Sequence, residues 1–336
     1  MTNSTEDPAW HITMEAAGHV KAAAIRAAAL LKVADHLADG PREVAELAEL
    51  TGSNEVYLRR LLRFLASGAI FRENEDGRFG LTPYAEVLRS DIPNSIRAGV
   101  LISTSETWWQ SAGDLVEAVR HGEPAFERRY GMPLFDYLAE NPSVGRMFNE
   151  GMATFAVADL DLVTSAYDFP DSGVLVDVGG GLGGLLLTVL RTRPGLRGVL
   201  FDHEKVLAGN MLGQLGADER WELVAGDFFE SVPAGDFHLL KNILHDWNDD
   251  QCVRILENCR DAMGPGGKLL VIEAVIPPGN EPHAGKGLDM FMLLLLPGQE
   301  RSLAEFEHVF SRAGFRVNQV ITTASPLSLI EVEVAS

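Results

Sequence analysis

Five glycines within six positions, Gly179-Gly180-Gly181-Leu182-Gly183-Gly184, most constrain what this chain can fold into. They follow the apolar segment VLVDV and open a helical stretch. A backbone there must turn tightly and admit a ligand closer than any Cβ would allow. From Val174 on, short apolar segments alternate with helical ones: VLVDV, GVLFD, WELVAGD, FHLLKN and KLLVIEAVI read as strands. Such alternation specifies a doubly wound α/β sheet of parallel strands. A helix over Ser302 to Ala313 is then followed by FRVNQVITT and SLIEVEV, two strands with no helix between them. An ordinary dinucleotide-binding sheet does not end in such a hairpin.

The N-terminal part follows another pattern. Residues 14–37 are rich in Ala and Leu at helical spacing, and Pro41 to Thr51 and Asn54 to Ser67 give two shorter helical patterns. AIFRENEDGRFGLT then reads as a hairpin turning at Glu75-Asp76-Gly77. Helices followed by a hairpin predict a winged-helix-like domain over residues 1–100. Residues 101–336 form the second expected domain, a helical segment (101–170) joined to a Rossmann-like core (171–336). The helix pattern NEVYLRRLLRFLASG carries Arg59, Arg60 and Arg63, as a DNA-reading helix would. Residues 1–100 nevertheless hold 14 acidic against 11 basic side chains, which is no footprint for a nucleic acid. The apolar 14–37 stretch points instead to dimerisation or to scaffolding a pocket.

Composition removes further classes. The chain has 48 acidic and 28 basic residues and a net charge of −20, so a polyanionic partner would be repelled. Its 46% hydrophobic content excludes disorder as the main state. The seven-residue apolar stretch Met290 to Leu296 falls far short of the roughly 20 residues a spanning helix needs, so no membrane association is expected. The first 15 residues lack a basic start and an apolar block, and no signal peptide is expected. Cys252 and Cys259 lie on one predicted helix, about 10 Å apart, too far for a disulfide. Two reduced, buried thiols point to a cytoplasmic protein.

The glycine run fits both G-x-G-x-G and G-x-G-x-x-G, so alone it separates S-adenosylmethionine from NAD no better than Asp202, the acid ending the next strand, which either cofactor uses for its ribose. Further on, Gly226-Asp227-Phe228 would set a carboxylate and an aromatic ring beside an adenine. With the terminal hairpin and no second mononucleotide-binding half, this favours a methyltransferase sheet.

In this order, VDVGGGLGG, FDHE, GDFF, LLKNILHDWNDDQC, LLVIEAVIPPG and LPGQERS resemble the plant-type small-molecule O-methyltransferases, whose bacterial relatives act on aromatic polyketides, phenazines and similar metabolites. The resemblance runs from about residue 14 to residue 334. It implies a class I methyltransferase sheet with an N-terminal α-helical winged-helix dimerisation domain, S-adenosyl-L-methionine as cofactor and S-adenosyl-L-homocysteine as product. A homodimer and a small aromatic acceptor are implied as well. Cofactor positions map onto Gly179, Gly181, Asp202, Asp227, Phe228 and Lys241. The catalytic base maps onto His245, in a histidine–aspartate–tryptophan motif at the carboxyl end of a strand. Two flanking glutamates map onto Glu273 and Glu300. Glu300 is expected to orient His245 and Glu273 to position the substrate or the ring, with an exchange of the two roles left open. For the acceptor, Phe148, Met152, Phe291 and Met292 match, and with Trp109 they would make an apolar slot.

These residue types suit the chemistry. Methyl transfer from a sulfonium needs position and a deprotonated acceptor. A phenol of pKa about 10 facing an imidazole of about 6.5 is mismatched by about 5 kcal/mol, so proton removal must be coupled to transfer or helped by the surroundings. A carboxylate on the far ring nitrogen gives that help. No compact His/Asp/Glu spacing recurs in the sequence, so a metal centre is not expected. The helix that follows Trp247 is expected to be capped by Asn248 or Asp249, and Asp246 reads alternatively as its cap. Asn242, where the family often has an aromatic residue, and Leu296, where it usually has asparagine, would both face the substrate and argue against a lignin-type phenylpropanoid. Two alternatives remain on this fold: hydroxylation or decarboxylation of a polyketide-like substrate, and N-methylation of a heteroaromatic ring.

Overall fold

The computed structural model describes residues 7–216 and 218–335. The outer limits of the two expected domains, residues 1 and 336, lie outside the described residues. Two compact units form: one takes the chain up to Trp109 together with Asn141–Phe155, the other takes Gln110–Glu140 and everything from Ala156 on. The seam therefore differs from a single cut at residue 100, and packing explains why. Helix Arg97–Ser103 buries Gly99 and Ile102, Arg97 Nε donates to Ala29 O at 2.9 Å, and Arg26 Nη1 donates to Leu101 O at 2.6 Å. A Cβ on Gly151 would lie 2.3 Å from Ile102 Cγ2, so the later helix Pro142–Ala158 also packs closely there.

In the first unit the expected 14–37 helix is three helices, Pro8–Ala16, Gly18–Leu30 and Val33–His36. The last break is at Lys32, in left-handed geometry with φ 52°. Turning the chain there brings Val33, Ala34 and Leu37 into the core that also holds Ala24 and Ala28. Helix Val44–Thr51 starts later than Pro41, because Arg42 exchanges two backbone hydrogen bonds of 2.9 Å with Phe79. Helix Glu55–Ser67, capped by Asn54, precedes the hairpin of β1 (Phe71–Glu73) and β2 (Phe79–Leu81).

The second unit is built on a seven-stranded mixed sheet of β3 (Ser172–Val178), β4 (Gly195–Asp202), β5 (Trp221–Ala225), β6 (Gly235–Lys241), β7 (Met263–Ala274), β8 (Phe315–Thr322) and β9 (Leu327–Val334). The order is β5-β4-β3-β6-β7-β9-β8, with β9 antiparallel to both β7 and β8 and the other pairs parallel. The strands are apolar on both faces because both faces are covered. Leu239 joins Leu175, Leu186 and Leu270 on one side, and its neighbour Leu240 joins Val176, Ile255 and Phe310 on the other. Each such side chain contributes about 1.5–3 kcal/mol on burial. Strand order reverses between β3 and β6, so loops after the carboxyl ends of β3, β4 and β6 share one edge, where open α/β sheets bind ligands. No helix among the described residues is long and apolar enough to cross a membrane.

Candidate active site

The glycine run leaves β3 with Gly179, Gly181 and Gly183 all at positive φ. A Cβ on Gly180 would sit 2.5 Å from Leu200 Cδ1 and 2.6 Å from Asp177 Oδ2, so only glycine fits there. At Gly181 an added Cβ would meet nothing within 4 Å, which leaves that side of the loop open to a ligand. Asp202, ending β4, holds the loop by accepting from Gly181 N at 2.9 Å and from His203 N at 2.7 Å. Asp227 accepts from Phe229 N at 2.8 Å, and Phe228 packs edge-on against Trp247 with centroids 6.0 Å apart. Burial pushes the Lys241 ammonium down, opposed by Asp159, Asp177 and Glu273. Asp177 was not among the expected site residues. Burial lifts its carboxyl to about 7, with Lys241 opposing and Asp202 adding to the rise, and its Oδ2 has no hydrogen-bond partner among the described residues. A glycine cradle with a neighbouring lysine, three acids and an orphaned carboxylate oxygen fits a ligand carrying cationic groups and ribose hydroxyls.

Past Lys241 the chain makes a tight turn. Asn242 adopts φ 54° and donates its N–H to Ile272 O at 3.0 Å. Asn tolerates left-handed geometry better than most residues, which gives this position a backbone reason independent of any substrate. Ile243 and Leu244 donate their N–H groups to one oxygen of Glu273 at 2.9 and 2.8 Å, and Leu244–Asp246 forms a single 3-10 turn. The ring of His245 then lies with Nδ1 2.8 Å from Glu300 Oε1 and 3.7 Å from Glu273 Oε2. Its Nε2 lies 3.4 Å from Asp246 Oδ1. Glu300 thus meets the ring directly, while Glu273 holds the backbone that carries it. Asp246 is no helix cap: Asn248 caps helix Asp249–Ala262 through a capping box with Gln251.

Electrostatics follow from this crowding. Burial pushes the His245 imidazolium down, but Glu273, Asp246 and the hydrogen bond and charge of Glu300 outweigh it and hold it up at about 10. Burial raises the carboxyl of Glu273, with His245 opposing and Glu300 adding to the rise. It raises Asp246 to about 6, again against His245. The fold also corrects the metal reading in one respect. His245, Glu273 and Glu300 are distant in sequence yet offer ligand atoms within 4.8 Å of one another. His245 Nδ1 is engaged with Glu300 and Glu273 Oε1 with two amides, while Oε2 of Glu273 and Oε2 of Glu300 have no hydrogen-bond partner among the described residues. The direct contact between Nδ1 and Glu300 suits the cluster to hold a proton on the His245 ring.

The segment that carries Glu300 is fitted against this turn. A Cβ on Gly298 would fall 2.0 Å from His245 O and 2.4 Å from Asp246 C, so backbone packs on backbone. The glycine loop touches the turn as well, since a Cβ on Gly179 would be 2.6 Å from Ile243 Cδ1. Of the expected acceptor residues, Trp109, Phe148 and Met152 belong to the first unit, and Asn242, Phe291 and Met292 to the second. Trp109 is 40% and Phe291 37% exposed, whereas Phe148 packs on Trp108 with centroids 6.2 Å apart. Leu296 is buried and closes helix Ala284–Leu295, its N–H on Met292 O at 2.8 Å, so it does not present the surface expected of it.

Two family models match the chain: an O-methyltransferase dimerisation domain over residues 14–91 and an O-methyltransferase domain over residues 112–316. The chain is 44% identical over 307 residues to the phenazine O-methyltransferase PhzM of Lysobacter antibioticus, covering 90% of each protein. It superposes with a TM-score of 0.90 on CalO1, a methyltransferase of calicheamicin biosynthesis solved with SAH bound, at 44% identity over 98% of this chain and all of that one. NcsB1, an O-methyltransferase of neocarzinostatin biosynthesis solved with S-adenosylmethionine and 2-hydroxy-5-methyl naphthoic acid, matches with a TM-score of 0.77 at 34% identity, covering 94% of this chain and 96% of that one. With its sheet, its glycine cradle and its dimerisation segment all matched, the chain belongs to the O-methyltransferase family.

Proposed function

We propose that this enzyme transfers a methyl group from S-adenosylmethionine to a hydroxyl of a small aromatic secondary metabolite, with His245 as general base. When bound, the cofactor supplies an electrophilic methyl on a sulfonium. The chain's own residues do the rest. Gly179 and Gly181 leave room for the ligand, Asp202 and Asp227 hold its hydroxyls and adenine edge, and Phe228 and Lys241 close round them. Asp177 places a buried carboxyl with an unpartnered oxygen under the loop. The observation that carries the reading is the division of His245. Its Nδ1 is committed to Glu300 at 2.8 Å, so Nε2 is the nitrogen that takes the acceptor proton. An imidazolium formed there is stabilised by a carboxylate already in place, as in hydrolytic triads. Asp246 lies beside Nε2, where the acceptor hydroxyl would enter.

Relatives that act on phenazine and naphthoate rings, together with the exposed Phe291, support a flat aromatic acceptor. The segment matching the dimerisation domain supports a homodimer, and two free, buried cysteines support a cytoplasmic setting. Incubation with S-adenosylmethionine and a panel of hydroxylated phenazines, naphthoates, quinones and benzoates, read by mass spectrometry, tests the proposal. A methyl ether formed one-for-one with S-adenosylhomocysteine is expected. A hydroxylated or decarboxylated product, or an N-methyl product alone, would overturn it.

A further inference from the structure

Arg301 is the largest fully buried side chain among the described residues, at 1% exposure, and it sits directly after the glutamate that meets His245. A guanidinium so buried must be paired on all sides. Here its partners are almost all parts of one turn. Nη1 donates to Leu244 O at 2.9 Å and Nη2 to Trp247 O at 2.9 Å, the carbonyls flanking the His245-Asp246 pair. Nε and Nη2 hold Asp249 Oδ1 at 3.1 and 2.8 Å, in the first turn of the helix that follows. A longer contact of 3.4 Å reaches Gln299 O. The backbone of Arg301 is itself fixed to the continuation of β7, since Ile276 N donates to Arg301 O at 2.9 Å.

We propose that Arg301 is a positioning residue: by gripping the carbonyls on either side of His245, it sets the imidazole against Glu300. The inference rests on the methyl-transfer reading for its kinetic consequence and on geometry alone for its structural one. Two buried ionic side chains divide the turn between them. Glu273 takes the N–H groups of Ile243 and Leu244, and Arg301 takes the C=O groups of Leu244 and Trp247. Because Glu300 and Arg301 are consecutive, the group that orients the ring and the group that grips its backbone move as one piece. Gly298 makes this possible by bringing the two backbones into contact.

The test uses the full-length protein, labelled with 15N-histidine and saturated with S-adenosylhomocysteine. The downfield Nδ1 proton of His245, assigned by its absence in His245→Gln, reports the bond to Glu300. Arg301→Met is expected to weaken or abolish that signal and to lower kcat by about 10²-fold, as ångström-scale misplacement does, while KM for S-adenosylmethionine changes less than about twofold. Arg301→Lys keeps the charge but not the fork and is expected to fall between the two. Should Arg301→Met fail to fold, Asp249→Asn decides. Its site is 40% exposed and it loosens the guanidinium without emptying the space, so a shifted signal and a several-fold lower kcat are expected. An unchanged signal and kcat in a folded variant would overturn the inference. So would a parallel loss of kcat, cofactor binding and Tm with the signal intact. A wild-type protein that shows the signal but transfers no methyl group would count against the proposed function and leave the positioning role standing.

Discussion

Replacing Glu300 by Gln removes one charge and leaves the volume at the site unchanged. Its carboxylate lies 2.8 Å from His245 Nδ1 and its side chain is 1% exposed, so solvent screens the pair weakly. Charge centres about 4 Å apart interact by about 4 kcal/mol at an effective dielectric of 20. The amide still accepts a hydrogen bond worth about 1 kcal/mol. About 3 kcal/mol of imidazolium stabilisation is therefore lost, equal to about two pH units. The sign has a consequence for rate. His245 rests as an imidazolium, held up at about 10, and must lose that proton before it can serve as a base. Below this value Glu300 stabilises the resting imidazolium and the one in the transition state alike, and uniform stabilisation cancels. Above it only the transition state benefits. In the wild type kcat/KM rises tenfold per pH unit towards a plateau near pH 10. In Glu300→Gln the rise ends about two units earlier, at a plateau about 10²-fold lower. Measuring kcat/KM for the acceptor between about pH 6 and 10.5 separates the cases. A uniform drop at every pH, with the rise ending where it does in the wild type, would refute a role for Glu300 on the His245 proton.

Three further outcomes follow from the geometry. Gly298→Ala would place a methyl group 2.0 Å from His245 O; it is expected to cost about 1–3 kcal/mol of stability and about 10²-fold in kcat, and calorimetry that found Tm unchanged would contradict the packing described. Asp202→Ala removes the carboxylate that holds the glycine loop and that we propose binds the ribose, and isothermal titration is expected to show S-adenosylhomocysteine binding about 10–100-fold weaker; an unaltered Kd would remove Asp202 from the site. His238, fully buried on β6 with Nε2 3.0 Å from Pro233 O, is pushed down by burial against the pull of that carbonyl and Asp236. Its contribution to stability is present above the unfolded value of about 6.5 and is lost as pH falls below it, so the Tm gap between wild type and His238→Gln should narrow from about pH 8 to about pH 5.5. A constant gap would show that His238 does not titrate this way.

The sheet was legible because each strand carries its own signal. Apolar runs bounded by turn residues placed all seven strands of the second unit, and the missing helix before SLIEVEV foretold the antiparallel finish. Local pattern failed where tertiary contacts override it. Nothing in the Ala-rich 14–37 stretch marks Lys32 as a left-handed break, and Pro41 looks like a helix start although Arg42 is taken into pairing with Phe79. The division between units was hidden for the same reason, since Gly151 packs on Ile102 from 49 residues further along. In the site, His245 and Glu300 are 55 residues apart, and only a resemblance paired them before the fold did. The Asn248 cap was legible in sequence, whereas Asp246, read as an alternative cap, lies beside the ring of His245 instead. Arg301 and Asp177 gave no periodic signal at all. Each is an ionic side chain whose importance lies in being buried, and burial of a charged residue is not written in local sequence.

The central claim is that His245 takes the acceptor proton as the methyl group transfers. The measurement that tests it most directly compares wild type with His245→Gln, using S-adenosylmethionine bearing a trideuteriated methyl group and the best acceptor of the panel, with product followed by mass spectrometry and S-adenosylhomocysteine binding measured in parallel. The account predicts a trideuteriomethyl ether from the wild type, turnover lower by about 10²–10⁴-fold in the variant, and equal cofactor affinity in both. A variant that bound cofactor and methylated the acceptor at the wild-type rate would contradict it.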